Sequence, residues 1–174
     1  SEFSNLVSNE RVEHIISKIN YYGYSGGRVK GLVFCSSKQE AKVLSEEFNA
    51  RGYNTTSLTG EDSQERREQE IAKLVANDGD MLDYIFTVDI FNEGVDIPEV
   101  NQVIMLRPTQ SSIIFIQQLG RGLRKSADKE FVVIIDFIAN YKNNFLIPVA
   151  LSGDNSYDKD TVRKFLSQGT RYIP

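Results

Sequence analysis

The stretch GLVFCSSKQEAKVL at residues 31–44 decides the fold. Its first part, LVFC at 32–35, is a continuous apolar run with the length of a β-strand. Two serines follow, and Ser37 with Glu40 forms the pattern of a capping box, which marks the first turn of a helix. Apolar residues at helical spacing come next, and Gly52 can end the helix. The stretch predicts a strand followed at once by a helix, the repeating unit of a parallel sheet.

The same alternation extends outward from this unit in both directions. The predicted strands are YNTTSL (53–58), YIFTV (84–88), QVIML (102–106) and FVVIID (131–136), and the predicted helices lie around 12–19, after Ser63, over 111–120 and near 158–168. Because most of these strands are continuous apolar runs rather than alternations, they predict an α/β fold with a mostly parallel central sheet covered by helices on both faces. Such sheets place their functional groups at the carboxyl ends of the strands.

Composition and charge narrow the class of protein. With 174 residues, 40% of them hydrophobic and 25% charged, the chain fits one globular domain. A net charge of −4 excludes a surface that attracts nucleic acid everywhere, but 107–129 is locally basic whereas 61–70 is acidic. One cysteine, Cys35, and one histidine, His14, exclude a disulfide and a zinc site built on these residue types, so no metal site is predicted and Cys35 is expected to be buried. No apolar run approaches the roughly 20 residues of a membrane span, so a cytoplasmic protein is expected.

Three motifs stand at the predicted ends of strands, and a fourth stands at the end of a predicted helix. They are GLVFCSS (31–37), LTGEDSQERR (58–67), TVDIFNEGVDIPEV (87–100) and QQLGRGLR (117–124). No Gly-Lys dipeptide occurs, so the chain has no G-x-x-x-x-G-K-[ST] phosphate loop, and it has no Asp-Glu dipeptide either. In their order and spacing, the motifs resemble motifs IV, IVa, V and VI of the second RecA-like domain of superfamily 2 helicases. They are most similar to the branch with DEAD/DEAH-type bacterial helicases and type III restriction-like helicases, and they imply a three-layer αβα sandwich.

The resemblance implies an ATP site shared with another lobe. Motif VI of such helicases sends arginines to the ATP on the other RecA-like domain, and the matching positions here are Arg121 and Arg124, whose rigid, always charged forks suit this role. Gly120 and Gly122 are expected to break the helix and allow a close approach of the backbone. The remaining positions expected near the nucleotide are Gln117, Glu93, Gly94 and Asp96. ATP and Mg²⁺ would bind mainly on an N-terminal lobe. The structural alternative is a helix end with solvated arginines.

A second set of residues is expected on nucleic acid. By resemblance these are Ser36, Thr59, Gly60, Thr87 and Arg107. Ser36 and Ser37 can instead cap the helix, and Gln64 with Arg67 can be a surface pair, so these alternatives stay open. Hydroxyls and backbone amides contact phosphate and sugar rather than base edges. We therefore expect binding without sequence preference. DNA is expected as the partner ahead of RNA, and the sequence leaves both open.

The chain is expected to be one part of a longer protein. It opens without methionine, and its first 30 residues show no obvious core of their own. Residues 1–29 are expected to be a helix and linker from a preceding lobe, 30–140 the helicase C-terminal domain, and 141–174 an extension that packs on it or leads to a following domain. The expected function is the C-terminal lobe of an ATP-dependent helicase or translocase, inactive by itself. The alternative is a non-catalytic nucleic-acid-binding or regulatory module.

Overall fold

Helices and strands alternate through the first part of the chain, and strands then also follow one another. The computed structural model describes residues 8–89, 97–107, 109–122, 129–137 and 145–150, with the backbone alone for 120–122 and 145–150. The helices are α1 (Asn9–Tyr22), α2 (Lys38–Ala50), α3 (Gln64–Val75) and α4 (Gln110–Gly122). The strands are β1 (Gly31–Phe34), β2 (Thr55–Leu58), β3 (Tyr84–Thr87), β4 (Gln102–Met105), β5 (Phe131–Asp136) and β6 (Phe145–Ala150).

The strands form one sheet in the order β2-β3-β1-β4-β5-β6. The first five are parallel, and β6 runs antiparallel to β5 with Pro148 opposite Val133. The predicted α/β fold with a mostly parallel sheet is confirmed. The sequence does not predict β6, because proline lacks the amide donor of a ladder and is confined to edge strands and bulges. The helix expected near 158–168 lies outside the described residues.

Helices cover both faces of the sheet and complete the three expected layers. On one face, Leu74 of α3 and Phe115 of α4 are buried in a cluster with Phe34 of β1. On the other face, α1 and α2 pack together, and the Phe48 ring lies against that of Phe86 at a centroid distance of 5.0 Å. Full burial of each such side chain contributes about 1.5–3 kcal/mol, so the position of each helix is set by its apolar stripe.

Helix α1 belongs to this core. Its Val12, Ile15 and Ile19 recur at helical spacing and are buried in the same cluster as the apolar residues of α2. The first 30 residues are expected to show no core of their own, and these three positions join a core whose other members are strands and a helix that follow later in the chain. The expected domain boundaries after residues 29 and 140 stay predictions.

Two buried side-chain amides, of Asn101 and Gln102, bind backbone groups at the amino-terminal edge of the sheet. The Asn101 side chain accepts from the Lys30 amide (2.8 Å) and donates to the carbonyls of Ser25 (3.0 Å) and Arg28 (2.8 Å). Next to it, Gln102 donates to the Gly23 carbonyl at 2.8 Å. These bonds fasten the loop between α1 and β1, so β1 enters the sheet in a fixed position.

Candidate functional site

Residues expected on nucleic acid lie along one edge of the sheet. The carboxyl ends of β2, β3, β1 and β4 are level, since Leu58 and Phe34 both stand opposite Thr87 and Phe34 also stands opposite Met105. The register continues past the strands, because the Leu106 amide donates to the Phe34 carbonyl at 2.9 Å. Four of the expected residues therefore follow or end neighbouring strands in the spatial order Thr59, Thr87, Ser36, Arg107.

The two serines in the turn after β1 have different hydrogen-bond partners. Ser37 is the N-cap of α2, and its Oγ accepts from the Glu40 amide at 3.1 Å. The Glu40 carboxylate reaches back past the cap to Ser36, whose amide and hydroxyl donate to it at 3.1 and 3.0 Å. The predicted capping box is thus present in a form shifted by one residue. Ser36 is engaged with Glu40, and Ser37 caps the helix.

The turn after β2 is held by its own acidic residue. The Thr59 amide donates to the Asp62 carboxylate at 2.7 Å, and Thr59 Oγ1 accepts from the Glu61 amide at 3.3 Å. Gly60 is exposed, and a Cβ built on it would meet nothing within 4 Å. The fold therefore does not require glycine there for packing, and another molecule can approach this backbone.

The surface pair considered for α3 forms with other partners. Gln64 donates to Glu68 at 3.1 Å, and it is Arg66 that pairs with Asp62, at 3.0 Å. Gln64 thus bonds to the residue one turn further along the helix rather than to Arg67.

Thr87 differs most from its expected role. Its side chain is fully buried, and within the described part of the chain its hydroxyl has no hydrogen-bond partner. Its carbonyl accepts from the Cys35 amide at 2.9 Å. A contact between this hydroxyl and a strand would require a rearrangement around it, so the contact stays a prediction.

Two exposed residues flank the same edge. Arg107 follows β4 and is exposed, and no partner for its guanidinium is present among the residues that the structure describes. Asp89 follows β3 and adopts a φ of 49°, a left-handed conformation that aspartate tolerates better than most residues. The sequence analysis does not single out Asp89, although a short polar residue two positions past a strand can signal such a turn.

Helix α4 carries the expected nucleotide residues that the structure describes. Phe115 and Leu119 are buried, whereas Ile113 and Gln117 are exposed on the opposite side. Position 121 follows Gln117 by one turn, so Arg121 has the register of this exposed face. Gly120 and Gly122 both lie within the helix, so the expectation that Gly120 interrupts it is wrong. A packed helix tolerates glycine at a cost of about 1 kcal/mol.

Several expected positions fall outside the described residues, and their roles stay predictions. They are Glu93, Gly94, Asp96 and Arg124.

The chemistry of metals and thiols adds little to this site. In the described segments, no three His, Cys, Asp or Glu side chains are grouped so that they could hold a metal ion. Cys35 is buried as expected, and its burial, followed by the nearby Glu40 carboxylate, raises the pKa of the thiol well above its ordinary value.

None of the described helices combines the length and the apolar character needed to cross a bilayer.

Glu40 and Arg11 are the residues of this edge whose importance the sequence conceals. The capping pattern identifies Glu40, but nothing local indicates that its carboxylate is buried or that Arg11, 29 residues earlier, donates to it at 3.2 Å. Only the packing of α1 against α2 brings the two together.

Comparison with known proteins finds relatives among ATP-dependent helicases. The chain is 31% identical over 136 residues to the putative ATP-dependent helicase IRC3 of Saccharomyces cerevisiae, covering 78% of this chain and 19% of that protein. It is 30% identical over 90 residues to the pre-mRNA-splicing ATP-dependent RNA helicase prp28 of Schizosaccharomyces pombe, covering 52% of this chain and 13% of that protein. The chain thus spans less than a fifth of the length of either relative.

A solved structure and a family model identify the fold and the family. The C-terminal domain of the DEAD-box protein Dbp5 superposes with a TM-score of 0.55 at 19% identity, over 77% of this chain and 73% of that one. The model of the helicase conserved C-terminal domain matches residues 10–126, a span that begins in α1 and includes all four motifs. The chain therefore belongs to the helicase conserved C-terminal domain family, the second RecA-like domain of superfamily 2 helicases.

Proposed function

We propose that this chain is the C-terminal lobe of an ATP-dependent helicase or translocase and works with a preceding RecA-like lobe of the same protein. In this proposal the lobe has two tasks. It directs arginines at ATP held with Mg²⁺ mainly on the preceding lobe, and it contacts the nucleic-acid backbone with the carboxyl edge of its sheet. A cytoplasmic location is part of the same proposal.

The proposed role at the nucleotide rests on which residues share the exposed face of α4. The buried face of this helix is anchored by Phe115 and Leu119, and the opposite face is open. Gln117 and position 121 share the open face one turn apart, which supports a shared role for Gln117 and Arg121 toward a ligand held by another lobe. Because the helix packs firmly on the sheet, it would present both residues in a fixed orientation.

The arginines suit the chemistry of phosphoryl transfer. ATP supplies the phosphoryl group, and charge spreads over its oxygens during transfer to water. Arg121 and Arg124 would donate to such oxygens from planar forks that stay charged at any working pH. Their interaction would be stronger in the transition state than in the ground state, so their loss should lower turnover more than nucleotide affinity. Gln117, Glu93, Gly94 and Asp96 complete the proposed nucleotide face.

The sheet edge supports the nucleic-acid half of the proposal. Arg107 is an exposed cation at this edge, and Gly60 leaves open space beside the turn after β2. Groups of this kind address phosphates and sugars, which carry no sequence information directly. We propose that the chain binds DNA in preference to RNA. Because prp28 is an RNA helicase by name, each binding test should include a DNA strand and an RNA strand.

The decisive test uses the protein in which this chain follows its preceding lobe. Arg121→Ala and Arg124→Ala should each lower strand-stimulated ATP hydrolysis by about 10³-fold while nucleotide affinity changes little. Lys73→Ala, in the last turn of α3 where the side chain pairs with Glu70, is the control and should leave hydrolysis unchanged. An arginine variant with normal stimulated hydrolysis would remove that residue from the nucleotide site. Turnover by the 174-residue chain alone would contradict the whole proposal.

A further inference from the structure

A buried carboxylate lies directly behind the turn that carries Ser36. Glu40 is 3% exposed, and its two oxygens accept from the amide and hydroxyl of Ser36. Arg11 of α1 donates to the same carboxylate at 3.2 Å. A charged carboxylate is stable at this depth only when hydrogen bonds and an opposite charge compensate for its desolvation. Here Ser36 supplies the hydrogen bonds and Arg11 supplies the opposite charge.

These contacts change what Ser36 can do. A serine has one amide proton and one hydroxyl proton, and both of them point at Glu40. Ser36 therefore cannot donate to a phosphate while this arrangement lasts. Ser37 is exposed, and its Oγ accepts from the Glu40 amide, which leaves its hydroxyl proton for another acceptor.

We propose that Glu40 is a positioning residue for strand binding, which holds Ser36 inward and so fixes the turn between β1 and α2 at the edge of the sheet. The inference rests on the proposed function, because it assumes that this edge meets nucleic acid. It assigns Ser36 to the support of the turn rather than to direct contact with phosphate.

Helix α1 is the second support of the turn. Besides the Arg11 contact, α1 is joined to α2 by Arg51, which donates to Glu13 at 2.8 Å and to Asn9 at 3.2 Å. A displacement of α1 would withdraw Arg11 and leave the buried charge of Glu40 without its cation, which is strongly unfavourable. The conformation of the turn thus depends on the seating of α1.

The direction in which strand binding changes when a carboxylate is neutralised distinguishes a positioning role of Glu40 from a purely electrostatic effect. Neutralising a carboxylate at an edge that meets a polyanion should tighten binding if charge alone matters. Glu61 provides the matched case, because it is exposed at the same edge and pairs only with the exposed Lys38 ammonium among the described residues. Glu61→Gln should bind a strand at least as tightly as the unchanged chain, whereas Glu40→Gln should bind it more weakly.

The experiment measures binding of fluorescent 20-mers of oligo-dT and oligo-U to the 174-residue chain at low salt by anisotropy. Glu40→Gln should weaken binding by about three- to tenfold, the effect of losing one or two hydrogen-bonded contacts. Glu40→Asp keeps the charge but is one methylene shorter, and it should weaken binding similarly. Ser36→Ala should change binding by less than about twofold, since the amide bond and Arg11 still hold Glu40.

Controls separate this inference from loss of stability and from the proposed function. Ser45→Ala removes a buried hydroxyl of α2 that bonds to Thr55 at 2.7 Å, far from the turn. It should lower the free energy of unfolding in urea about as much as the Glu40 variants do, but it should leave strand binding unchanged. If Arg107→Ala weakens binding but Glu40→Gln and Glu40→Asp bind as tightly as the unchanged chain, the positioning role is overturned and the proposed function survives. A large loss in Ser36→Ala with tighter binding by Glu40→Gln would also overturn it. If the unchanged chain binds neither strand, the proposed function and this inference fail together.

Discussion

Replacing Gly31 with alanine should destabilise the fold strongly, although it adds a single methyl group. Gly31 begins β1, and its amide donates to the Asp83 carbonyl at 2.8 Å. A Cβ at this position would lie 2.3 Å from both Cδ1 and Cε1 of Tyr84. Carbon atoms in contact stand about 3.5–4.0 Å apart, so either the ring or the strand has to move.

The surroundings of Tyr84 set the size of the effect. The ring is 1% exposed, its hydroxyl donates to Gln102 Oε1 at 2.5 Å, and it packs in a T-shaped arrangement with Phe48 at a centroid distance of 5.8 Å. A ring held at its tip and along its side cannot turn away, so the cost should reach the upper end of the range for overpacking, about 3 kcal/mol. In a domain of this size that corresponds to a fall in Tm of about 6–12 °C.

Urea unfolding and thermal melts of Gly31→Ala and Gly27→Ala test this reasoning. Gly27 lies in the preceding loop, where an added Cβ would meet nothing within 4 Å. Gly27→Ala should therefore change stability by less than about 1 kcal/mol and can even increase it, because the unfolded chain loses freedom. If the two variants unfold at the same midpoint, the packing of Tyr84 against Gly31 is not the constraint described here.

Three further predictions concern the stability contributed by Arg28, the pH dependence caused by Cys35 and the salt dependence of strand binding. Arg28→Met should cost about 2–3 kcal/mol in urea unfolding, since the carbonyls of Leu74 (2.7 Å) and Leu82 (2.9 Å) lose a charged donor; a cost below about 0.5 kcal/mol would contradict this. Burial raises the pKa of Cys35, so the folded protein keeps a proton that the unfolded chain loses above about pH 8.5. Stability should be intact below that pH and should fall by about 1.4 kcal/mol by pH 9.5, and Cys35→Ala should remove the difference between unfolding at pH 7 and pH 9.5. The chain should bind single strands with a log–log salt slope of about −0.7 to −2, and a much steeper slope would mean more phosphate contacts than this edge offers.

Local patterns predicted the framework of the fold. The apolar runs at β1, β3, β4 and β5 mark the strands to within about two residues, because buried parallel strands need apolar side chains on both faces. Ser37 and Ser63 cap α2 and α3 as expected, because a cap depends only on residues within one turn.

Contacts between distant segments could not be predicted in the same way. The link between Arg11 and Glu40 and the burial of Thr87 depend on which elements become neighbours, and no periodicity or cap encodes that choice. The apolar stripe of α1 is visible in the sequence, but the surface that it covers belongs to residues that come later. At the site, the sequence indicated which strand ends carry polar groups, and the packing determined which of those groups already have partners.

The satisfied donors at this edge bear on how such a lobe would hold a strand. Carboxylates engage the Ser36 hydroxyl, the Thr59 amide and the Lys38 ammonium, and the chain as a whole carries a charge of −4. Attraction at a distance would then be weak, because these donors already face acidic groups and Arg107 is, among the described residues, the exposed cation that remains at this edge. Most of the affinity would come from a strand brought close by another lobe, and the turns of fixed shape at this edge would add the smaller part. A lobe that has to release and regain its strand in every cycle needs contacts of this kind, since a strong general attraction would hold the strand in both states alike.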